Sequence, residues 1–574
     1  KRIVLGPRYV GSPRQFAQSY QDAMAMIREY GRPDLFITMT CNTAWPEITA
    51  ELRNGETADD RPDLVARVFK MKFEAMKAEL FDDGIYGHAV AYSYSIEYQK
   101  RGLPHAHLLL ILHQKIRPEQ IDDVVVAELP SPKTQPRLWK IVTKHLIHNP
   151  CGKWGCQNAV CMKNGECSKG FPKDFKNDTE VPKDGYPKYR RRDNGRDFQQ
   201  KPGGPIVDNR WVVPYSPYLT LRYECHINVE ICASVKAAKY LYKYIHKGGD
   251  YATVSLEKNE SGSTKSKQSD GRAGEKQPHY AKDCDEIKEH LEGRYLCAHE
   301  AAWRLLGFET HGQYPPVEQL TVHLENGQLV YFKDCKSESA TEAAARKKLE
   351  AAIPPSTTLT AWFALNQEHA ARAAKAAPGE QWLKKGEVDA RNVLYRNIPR
   401  HFSLDKGKKV KGTRGQPDIP AIKKWEPRAR GCPRRRHRLG LPDSDRSSDK
   451  IGRVYSVSPK NMEAYCFRLL LQYVPGATCH DDLKRYEGVR HETFQAAAFA
   501  RGLIDGDDEW ERCMEEANHQ QGLFEGQLRS LFVSILLHCT VAQPLALFEK
   551  FKETFCDATY KKELKDDEDK DEES

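Results

Sequence analysis

Hydrophobic and polar positions in the first part of the chain change period several times, which predicts alternating helices and strands. Helical patterns run around Gln15 to Tyr30 and near Asp63 to Leu80. Strands are predicted at Leu35 to Thr40 and at His88 to Gln99, which is rich in Tyr, Ser, Val and Ala. A third strand contains the apolar run Leu108 to Leu112. This mixture predicts an α+β fold.

The rest of the chain continues as distinct blocks. A strand is predicted over about Tyr218 to Ile231 and a helix from Ser234. Amphipathic helices are predicted at Met462 to Tyr473 and Gln527 to Leu537. The predicted divisions are a domain at 1–250 with an insertion at about 145–175, a low-complexity linker at 251–282, a mixed α/β region at 283–425, an Arg-rich linker at 426–450, a helical region at 451–560 and an acidic tail at 561–574.

Composition narrows the class of protein. The chain has 574 residues, of which 39% are hydrophobic, as in a globular protein of several domains. No apolar run reaches the roughly 18 residues that a membrane span needs, so no membrane partner is expected. Sixteen cysteines without a signal peptide favour a reducing compartment, where thiols are core residues or metal ligands. The chain starts at Lys1 and contains no P-loop motif, so we expect a fragment without an ATPase.

One stretch, EYQKRGLPHAHLLL, carries the strongest signal for chemistry. His105 and His107 are two positions apart, so both imidazoles point to one face of a strand. Together with Glu97 they offer one carboxylate and two imidazoles, which suit Mg²⁺ or Mn²⁺. Taken alone, a His-x-His strand fits a core or surface role without metal equally well.

A second signal is the predicted helix SVKAAKYLYKYIHK, from Ser234 to Lys247. At about 100° per residue, Tyr240 and Tyr244 lie about 40° apart on one side of it. Lysine charge beside them favours tyrosinate and attracts a DNA phosphate. The alternative is an i,i+4 aromatic pair packed on a core, with the lysines in solvent. The lysines predicted to contact DNA are Lys236, Lys239 and Lys243.

These two signals together predict phosphoryl transfer on DNA. A divalent cation held by His105, His107 and Glu97 polarises a phosphodiester as a Lewis acid. Attack by a tyrosine then leaves a 5′-phosphotyrosine and a free 3′-OH.

A cysteine-rich segment predicts a structural metal site. Its candidate ligands are His148, Cys151, Cys156, Cys161 and Cys167. Thiolates with an imidazole suit tetrahedral Zn²⁺, and a loop with little apolar content needs a metal ion to stabilise its fold. A closed four-ligand site has no open position, which argues against direct catalysis. A metal-free cluster is the alternative.

Several segments of the chain resemble one known family. PHAHLLL resembles the His-hydrophobic-His motif of HUH endonucleases, and YLYKY resembles their two-tyrosine motif. Longer segments resemble the Rep nuclease of Helitron transposases, namely GRPDLFITMTCNTAWPEI, EYQKRGLPHAH, DNRWVVPYSPYLTLRYECHINVEIC and the tyrosine helix. The similarity continues through IGRVYSVSP and GATCHDDL, so it covers most of the chain.

The resemblance implies an enzyme that nicks and joins single-stranded DNA at transposon ends and target DNA in rolling-circle-like transposition. It implies a central antiparallel sheet with the HUH strand in its middle, helices on its faces and a zinc-containing insertion. It assigns metal binding to His105 and His107 and nucleophilic attack to Tyr240 and Tyr244. A helicase domain on the same full-length polypeptide and a nuclear location are also expected, with no helicase activity in this chain.

The third metal ligand stays open. Glu97 lies eight residues before His105, as in related proteins whose third ligand is a carboxylate. Gln99 is an alternative on the same strand face, and His226 is a weaker candidate.

The remaining expectations concern the zinc ligands of the insertion and further contacts with DNA. The family pattern leaves Cys156 spare and makes His145 a less favoured replacement for His148. The zinc ligands that it selects are His148, Cys151, Cys161 and Cys167. DNA contacts are also expected at Arg101, Arg190 and Arg191.

Other functions fit parts of this pattern. A plasmid or viral replication initiator uses the same chemistry, and a domesticated transposase binds DNA ends without cutting. A metal-dependent phosphohydrolase that uses water needs the histidine pair but not the tyrosines. The Arg-rich stretch Pro427 to Arg438 is either a nucleic-acid contact or an exposed loop.

Overall fold

The computed structural model describes residues 12–98, 102–182, 187–199, 201–232, 296–328, 355–377, 380–408, 421–428, 448–504, 508–519, 525–539 and 543–555, together with positions 6, 9, 287 and 541. The chain divides into two compact units. The first contains Lys1–Ala23 and Ile27–Tyr314, and the second contains Met24–Met26 and Pro315–Ser574. Among the described residues, no helix is long and apolar enough to cross a membrane.

The first unit is built on a five-stranded antiparallel sheet. Its strands are β1 (Leu35–Thr40), β2 (Ala89–Tyr98), β3 (Pro104–Leu112), β4 (Ile227–Ile231) and β5 (His311–Tyr314). Their order across the sheet is β4-β1-β3-β2-β5. The histidine strand β3 therefore lies in the middle, as expected, and backbone hydrogen bonds on both sides fix the positions of its side chains.

The helices of this unit are α1 (Pro13–Tyr30), α2 (Pro62–Phe81), α3 (Pro136–His145), α4 (Pro217–Tyr223) and α5 (Ala298–Leu305). Short helices lie at Pro46–Thr49 and Ile121–Val124, and two-stranded ribbons pair Met162–Lys163 with Glu166–Cys167 and Asp197–Gln199 with Ile206–Asp208. Helices α1 to α4 all have proline in the first turn, where the missing N–H costs nothing and the fixed φ suits the helix.

One face of the sheet is apolar and holds the core. Side chains alternate along a strand, so Leu108 and Leu110 of β3 share this face with Ile37 of β1. All three are buried. Helix α2 covers the face, and the ring of Phe73 meets that of Tyr94 edge-on at 5.0 Å. The core therefore lies on one face of the sheet, and the two histidines of β3 lie on the opposite face.

The helices and strands predicted before residue 112 are confirmed within two residues at each end. The predicted strand at Tyr218 to Ile231 is wrong in its first half. That part forms helix α4, because Ser216 caps its N-terminus and proline at position 217 fixes the first turn. Glu224 ends the helix in the left-handed region at φ 47°, and only Ile227–Ile231 is a strand.

The second unit has a core of its own, in which Trp362, Tyr395 and Phe467 are fully buried. Its helices are Thr358–Lys375, Ile398–His401, Met462–Tyr473, Phe494–Ala500, Asp508–His519, Glu525–His538 and Pro544–Phe555. Its strands pair as Val317–Leu320 with Ile451–Val454, Phe402–Asp405 with Lys424–Pro427, and Arg485–Tyr486 with Val489–Arg490. Both helices predicted in this unit are confirmed, at Met462–Tyr473 and Glu525–His538, but the first is buried on all sides over residues 465–472 and is therefore not amphipathic.

The units do not follow the predicted division at residue 250. Strand β5 extends the first unit to Tyr314, because Tyr314 pairs with Tyr92 at the edge of the sheet. Helix α5 joins the same core through Trp303, whose ring lies 6.2 Å from that of Phe69. The mixed and helical regions predicted separately share one core after Pro315. The low-complexity linker, most of the Arg-rich linker and the acidic tail lie outside the described residues.

Candidate functional site

The second face of the sheet is polar around the two histidines. His105 and His107 point to it from β3, and strand pairing gives each a polar neighbour on either side. Those neighbours are Thr40 and Glu97 for His105, and Thr38 and Ser95 for His107. The structure thus brings three of the predicted metal ligands, His105, His107 and Glu97, onto one face in the middle of the sheet.

The side chains of His105, His107 and Glu97 lie close to one another and to their neighbours. His107 Nε2 lies 3.4 Å from Glu97 Oε2. The two imidazole rings meet edge-on, with centroids 4.5 Å apart. On its other side, His107 stacks on Phe36 at 5.6 Å. His105 Nδ1 lies 2.8 Å from the Thr40 hydroxyl.

Several buried polar atoms of this face have no hydrogen-bond partner among the described residues. They are His107 Nδ1, Glu97 Oε1 and Ser95 Oγ. Buried polar groups normally have partners, so such a cluster points to a missing one. A carboxylate with two imidazoles fits a divalent cation such as Mg²⁺ or Mn²⁺. The ligand atoms of His105, His107 and Glu97 lie near one another but do not all converge on one point. Among the described residues, the group whose ligand atoms lie within 4.8 Å of one another does not include them.

The electrostatics of the face favour a neutral imidazole at His105. Burial, helped by the nearby His107 and His226, holds the pKa of His105 well below its usual value of 6.5. A neutral ring offers a lone pair to a metal ion. Burial also lowers the pKa of His226, whose Nδ1 lies 2.7 Å from the carbonyl oxygen of His145.

Several predicted site residues lie outside the described residues. They are the proposed nucleophiles Tyr240 and Tyr244, the alternative ligand Gln99, and the proposed DNA contacts Lys236, Lys239, Lys243 and Arg101. Their roles stay predictions.

The four predicted zinc ligands converge. Ligand atoms of His148, Cys151, Cys161 and Cys167 all lie within 4.8 Å of one another. His148 Nε2 is 3.6 Å from Cys151 Sγ and 3.5 Å from Cys167 Sγ. Tetrahedral zinc, with Zn–S of about 2.3 Å and Zn–N of about 2.0 Å, sets sulfur and nitrogen about 3.5 Å apart. The cluster can therefore hold a metal ion such as zinc.

Local structure positions these four ligands. The backbone N–H of His148 donates to the carbonyl of Trp211, and the imidazole stacks on Phe171 at 4.3 Å. Cys167 lies on a two-stranded ribbon. Burial raises the pKa of its thiol, but hydrogen bonds from the backbone of Phe171 and Lys169 and from the thiols of Cys151 and Cys161 lower it more, so the pKa falls below its usual value. Burial raises the pKa of the Cys151 thiol to about 12. Cys156 is exposed and outside the converging group, as expected for a spare thiol.

Arg190 and Arg191, which follow the insertion, both have partners within the protein. Arg191 is only 3% exposed and donates to the carbonyls of Ala127, Asn209 and Val212. Burial lowers the pKa of Arg191 to about 10. This burial contradicts its predicted DNA contact. Arg190 is partly exposed and pairs with Asp122 at 3.0 Å.

Two residues of the polar face were not predicted from the sequence. Thr40 contacts His105, and Ser95 is fully buried beside His107. The available signal was period-two alternation, because Thr38 and Thr40 alternate with apolar positions of β1, and Ser95 and Glu97 do the same on β2.

Comparison with known proteins finds a family match in the first part of the chain. Residues 1–110 match the family model described as the Helitron helicase-like domain at the N-terminus. The matched segment ends within β3, so it contains Glu97, His105 and His107 but not the cysteine cluster. No curated protein matches the chain.

The match indicates a transposase-type enzyme that acts on nucleic acid. More particularly, the predicted resemblance to Helitron transposases is confirmed over these N-terminal residues. DNA is accordingly the partner that the match indicates.

Proposed function

We propose that the chain is a metal-dependent HUH endonuclease and strand transferase, which nicks and joins single-stranded DNA at transposon ends. The observation that carries the proposal is the shared polar face of His105, His107 and Glu97, inside the segment that matches the Helitron N-terminal domain. The unpartnered buried atoms around His107 support a role for that face in binding a cation.

In this proposal, His105, His107 and Glu97 hold Mg²⁺ or Mn²⁺. Such an ion, when bound, supplies Lewis-acid polarisation of the scissile phosphodiester. The protein contributes fixed ligands, because β3 is hydrogen-bonded on both sides and Phe36 stacks on one imidazole. The third ligand is proposed as Glu97, with Gln99 as the alternative.

Tyr240 or Tyr244 acts as the nucleophile. The phenolic oxygen forms a bond to phosphorus while the bond between phosphorus and the 3′-oxygen breaks. The phenol loses its proton to solvent, and the departing oxygen gains one to become a 3′-OH. The enzyme retains a 5′-phosphotyrosine, and later attack by a 3′-OH reverses the step, so joining needs no ATP. Two tyrosines permit successive attacks on donor and target.

Phosphate contacts are assigned to Lys236, Lys239, Lys243, Arg101 and Arg190, and structural zinc to the cysteine cluster. Zinc there stabilises an insertion with a small apolar core, since among the described residues the buried centre of its hydrophobic cluster is Cys151 with Val207 and Trp211, which come from outside the insertion. A closed tetrahedral site leaves no position for substrate.

The test is a denaturing gel of the protein with labelled single-stranded transposon-end DNA and Mn²⁺. Wild type gives a protein-linked product, which is lost in the double variant Tyr240→Phe/Tyr244→Phe and in His105→Ala. Tyr242→Phe is the matched control, because a helix turns by about 100° per residue and Tyr242 is therefore predicted to point away from Tyr240 and Tyr244. The single Tyr→Phe variants rank the two nucleophiles.

Other outcomes contradict the proposal in different ways. Tight binding without any covalent product indicates a module that binds DNA ends without cutting. Free cleavage that survives both Tyr→Phe changes indicates a hydrolase that uses water. Each result is distinct on the same gel.

A further inference from the structure

Thr40 is the residue that contacts the first histidine of the pair. Its hydroxyl oxygen lies 2.8 Å from His105 Nδ1, and His105 is its direct partner across β1 and β3. His105 is only 7% exposed, so little water competes for this contact.

The backbone around Thr40 is held on both sides. Its N–H donates to the carbonyl of His226 at 2.9 Å, and the N–H of Cys41 donates to the carbonyl of Pro104 at 3.0 Å. Farther along the segment, the indole N–H of Trp45 donates to the carbonyl of Tyr223 at 2.7 Å. The hydroxyl is therefore presented from an anchored strand end rather than from a mobile loop.

Metal binding by imidazole depends on which nitrogen carries the proton. A ring nitrogen that binds a cation must be unprotonated, and a hydrogen bond from the other nitrogen fixes that choice. With Nδ1 against Thr40, the state that can bind metal has the Nδ1–H donating to the hydroxyl oxygen. Nε2 then carries the lone pair and faces the polar side of the sheet.

We propose that Thr40 is a positioning residue, which fixes the ring orientation and tautomer of His105 so that Nε2 is presented to a divalent cation. This inference rests on the proposed function of the polar face. Thr38 gives the internal comparison, because it lies opposite His107 on the same strand and is also buried. Thr38 pairs with His107 and not with His105, so the same chemical change there leaves the contact between Thr40 and His105 intact.

The test measures Mn²⁺ binding to the full chain without DNA, by titration followed with electron paramagnetic resonance of free Mn²⁺. The protein is loaded with zinc beforehand, so that the thiolate cluster is filled. Thr40→Val removes the acceptor and keeps the shape, Thr40→Ser keeps the hydroxyl, and Thr38→Val is the matched control. Thr40→Ala is a second deletion in case valine disturbs folding, and thermal unfolding is recorded for all variants.

Removal of the acceptor weakens Mn²⁺ binding about 10- to 100-fold, the usual effect of losing a partner of a metal-binding histidine. Thr40→Ser retains most of the affinity, Thr38→Val binds as wild type does, and high Mn²⁺ restores adduct formation in Thr40→Val. Wild-type affinity in a folded Thr40→Val or Thr40→Ala overturns the inference, as does equal weakening in Thr38→Val. Failure of the proposed function is distinguishable, because then wild type itself neither binds Mn²⁺ nor forms an adduct.

Discussion

Glu97 Oε2 lies 3.4 Å from His107 Nε2, although the residue directly opposite Glu97 in the sheet is His105. The carboxylate therefore leans along the strand toward its diagonal neighbour, a reach that antiparallel strands permit. Its other oxygen, Oε1, is buried without a partner among the described residues. The carboxylate thus contacts the imidazole of His107 and lies opposite His105 in the sheet.

Replacing Glu97 distinguishes the two candidate third ligands. Glu97→Ala is expected to weaken Mn²⁺ binding and adduct formation at least about tenfold, because losing a direct ligand costs no less than losing an outer partner. Gln99→Ala is expected to have little effect. Mn²⁺ titration of both variants checks this, and the reverse ranking would transfer the role to Gln99.

The cysteine cluster predicts a defined metal content. Cys167→Ser is expected to lose zinc, since three ligands bind far more weakly than a closed set of four. Cys156→Ser, a change of the same type in the same segment, is expected to retain one zinc per chain because Cys156 is outside the converging group. Elemental analysis by mass spectrometry measures both, and zinc loss in Cys156→Ser would contradict the assigned ligand set.

Arg191 is expected to contribute to stability and not to DNA affinity. Arg191→Ala leaves three carbonyls without their charged donor, which is expected to lower the free energy of unfolding by about 3 kcal/mol. Arg190→Ala removes a partly exposed pair with Asp122 and is expected to cost less than about 1 kcal/mol. Urea unfolding compares the two variants. Equal stability of Arg191→Ala and wild type would contradict the buried role.

The pair of Glu128 and Arg192 predicts a pH dependence. Glu128 is buried, and burial raises the pKa of its carboxyl. Hydrogen bonds from Arg192 and the charge of Arg192 lower that pKa more, so it lies below its usual value of 4.5. A lowered carboxyl pKa stabilises the folded state above the usual pKa, and the contribution is lost as pH falls through the folded-state value.

Glu128→Gln is therefore expected to be less stable than wild type by about 2 kcal/mol at pH 7, and the difference is expected to shrink below pH 4.5. Urea unfolding across this range measures the change. Glu180→Gln, an exposed carboxylate paired with Lys176 at 2.7 Å, is the control and should change little. A difference in free energy of unfolding between wild type and Glu128→Gln that stays constant with pH would contradict this role of the carboxylate.

Much of the first unit could be predicted from local pattern. Strand β1 is apolar with period-two polar positions, and α1 and α2 have proline at their starts, so both kinds of element carry their own signals. The cysteine cluster was predictable because its residue types suit one metal, whereas the choice of four ligands that leaves Cys156 spare came from the family resemblance. The strand predicted from Tyr218 was wrong because a Ser-Pro helix start overrode the β-propensity of the Tyr, Leu and Thr that follow.

Contacts between residues that are distant in sequence could not be predicted in this way. Nothing near Arg191 in sequence shows that distant carbonyls enclose it, so a basic run was interpreted as a DNA contact. Strand β5 joins the sheet from about 200 residues after β3 in sequence, and no local pattern carries that pairing. The contact between Thr40 and His105 likewise depends on the register of two strands that are 65 residues apart in sequence.

The most direct measurement of the central claim is mass spectrometry of the peptide that becomes attached to single-stranded transposon-end DNA. The full chain is incubated with Mn²⁺, digested, and the linked residue is identified. The account predicts a 5′-phosphate ester on Tyr240 or Tyr244 that is absent without the cation and in His105→Ala and His107→Ala. Attachment at another residue, or attachment that persists without both histidines, would contradict it.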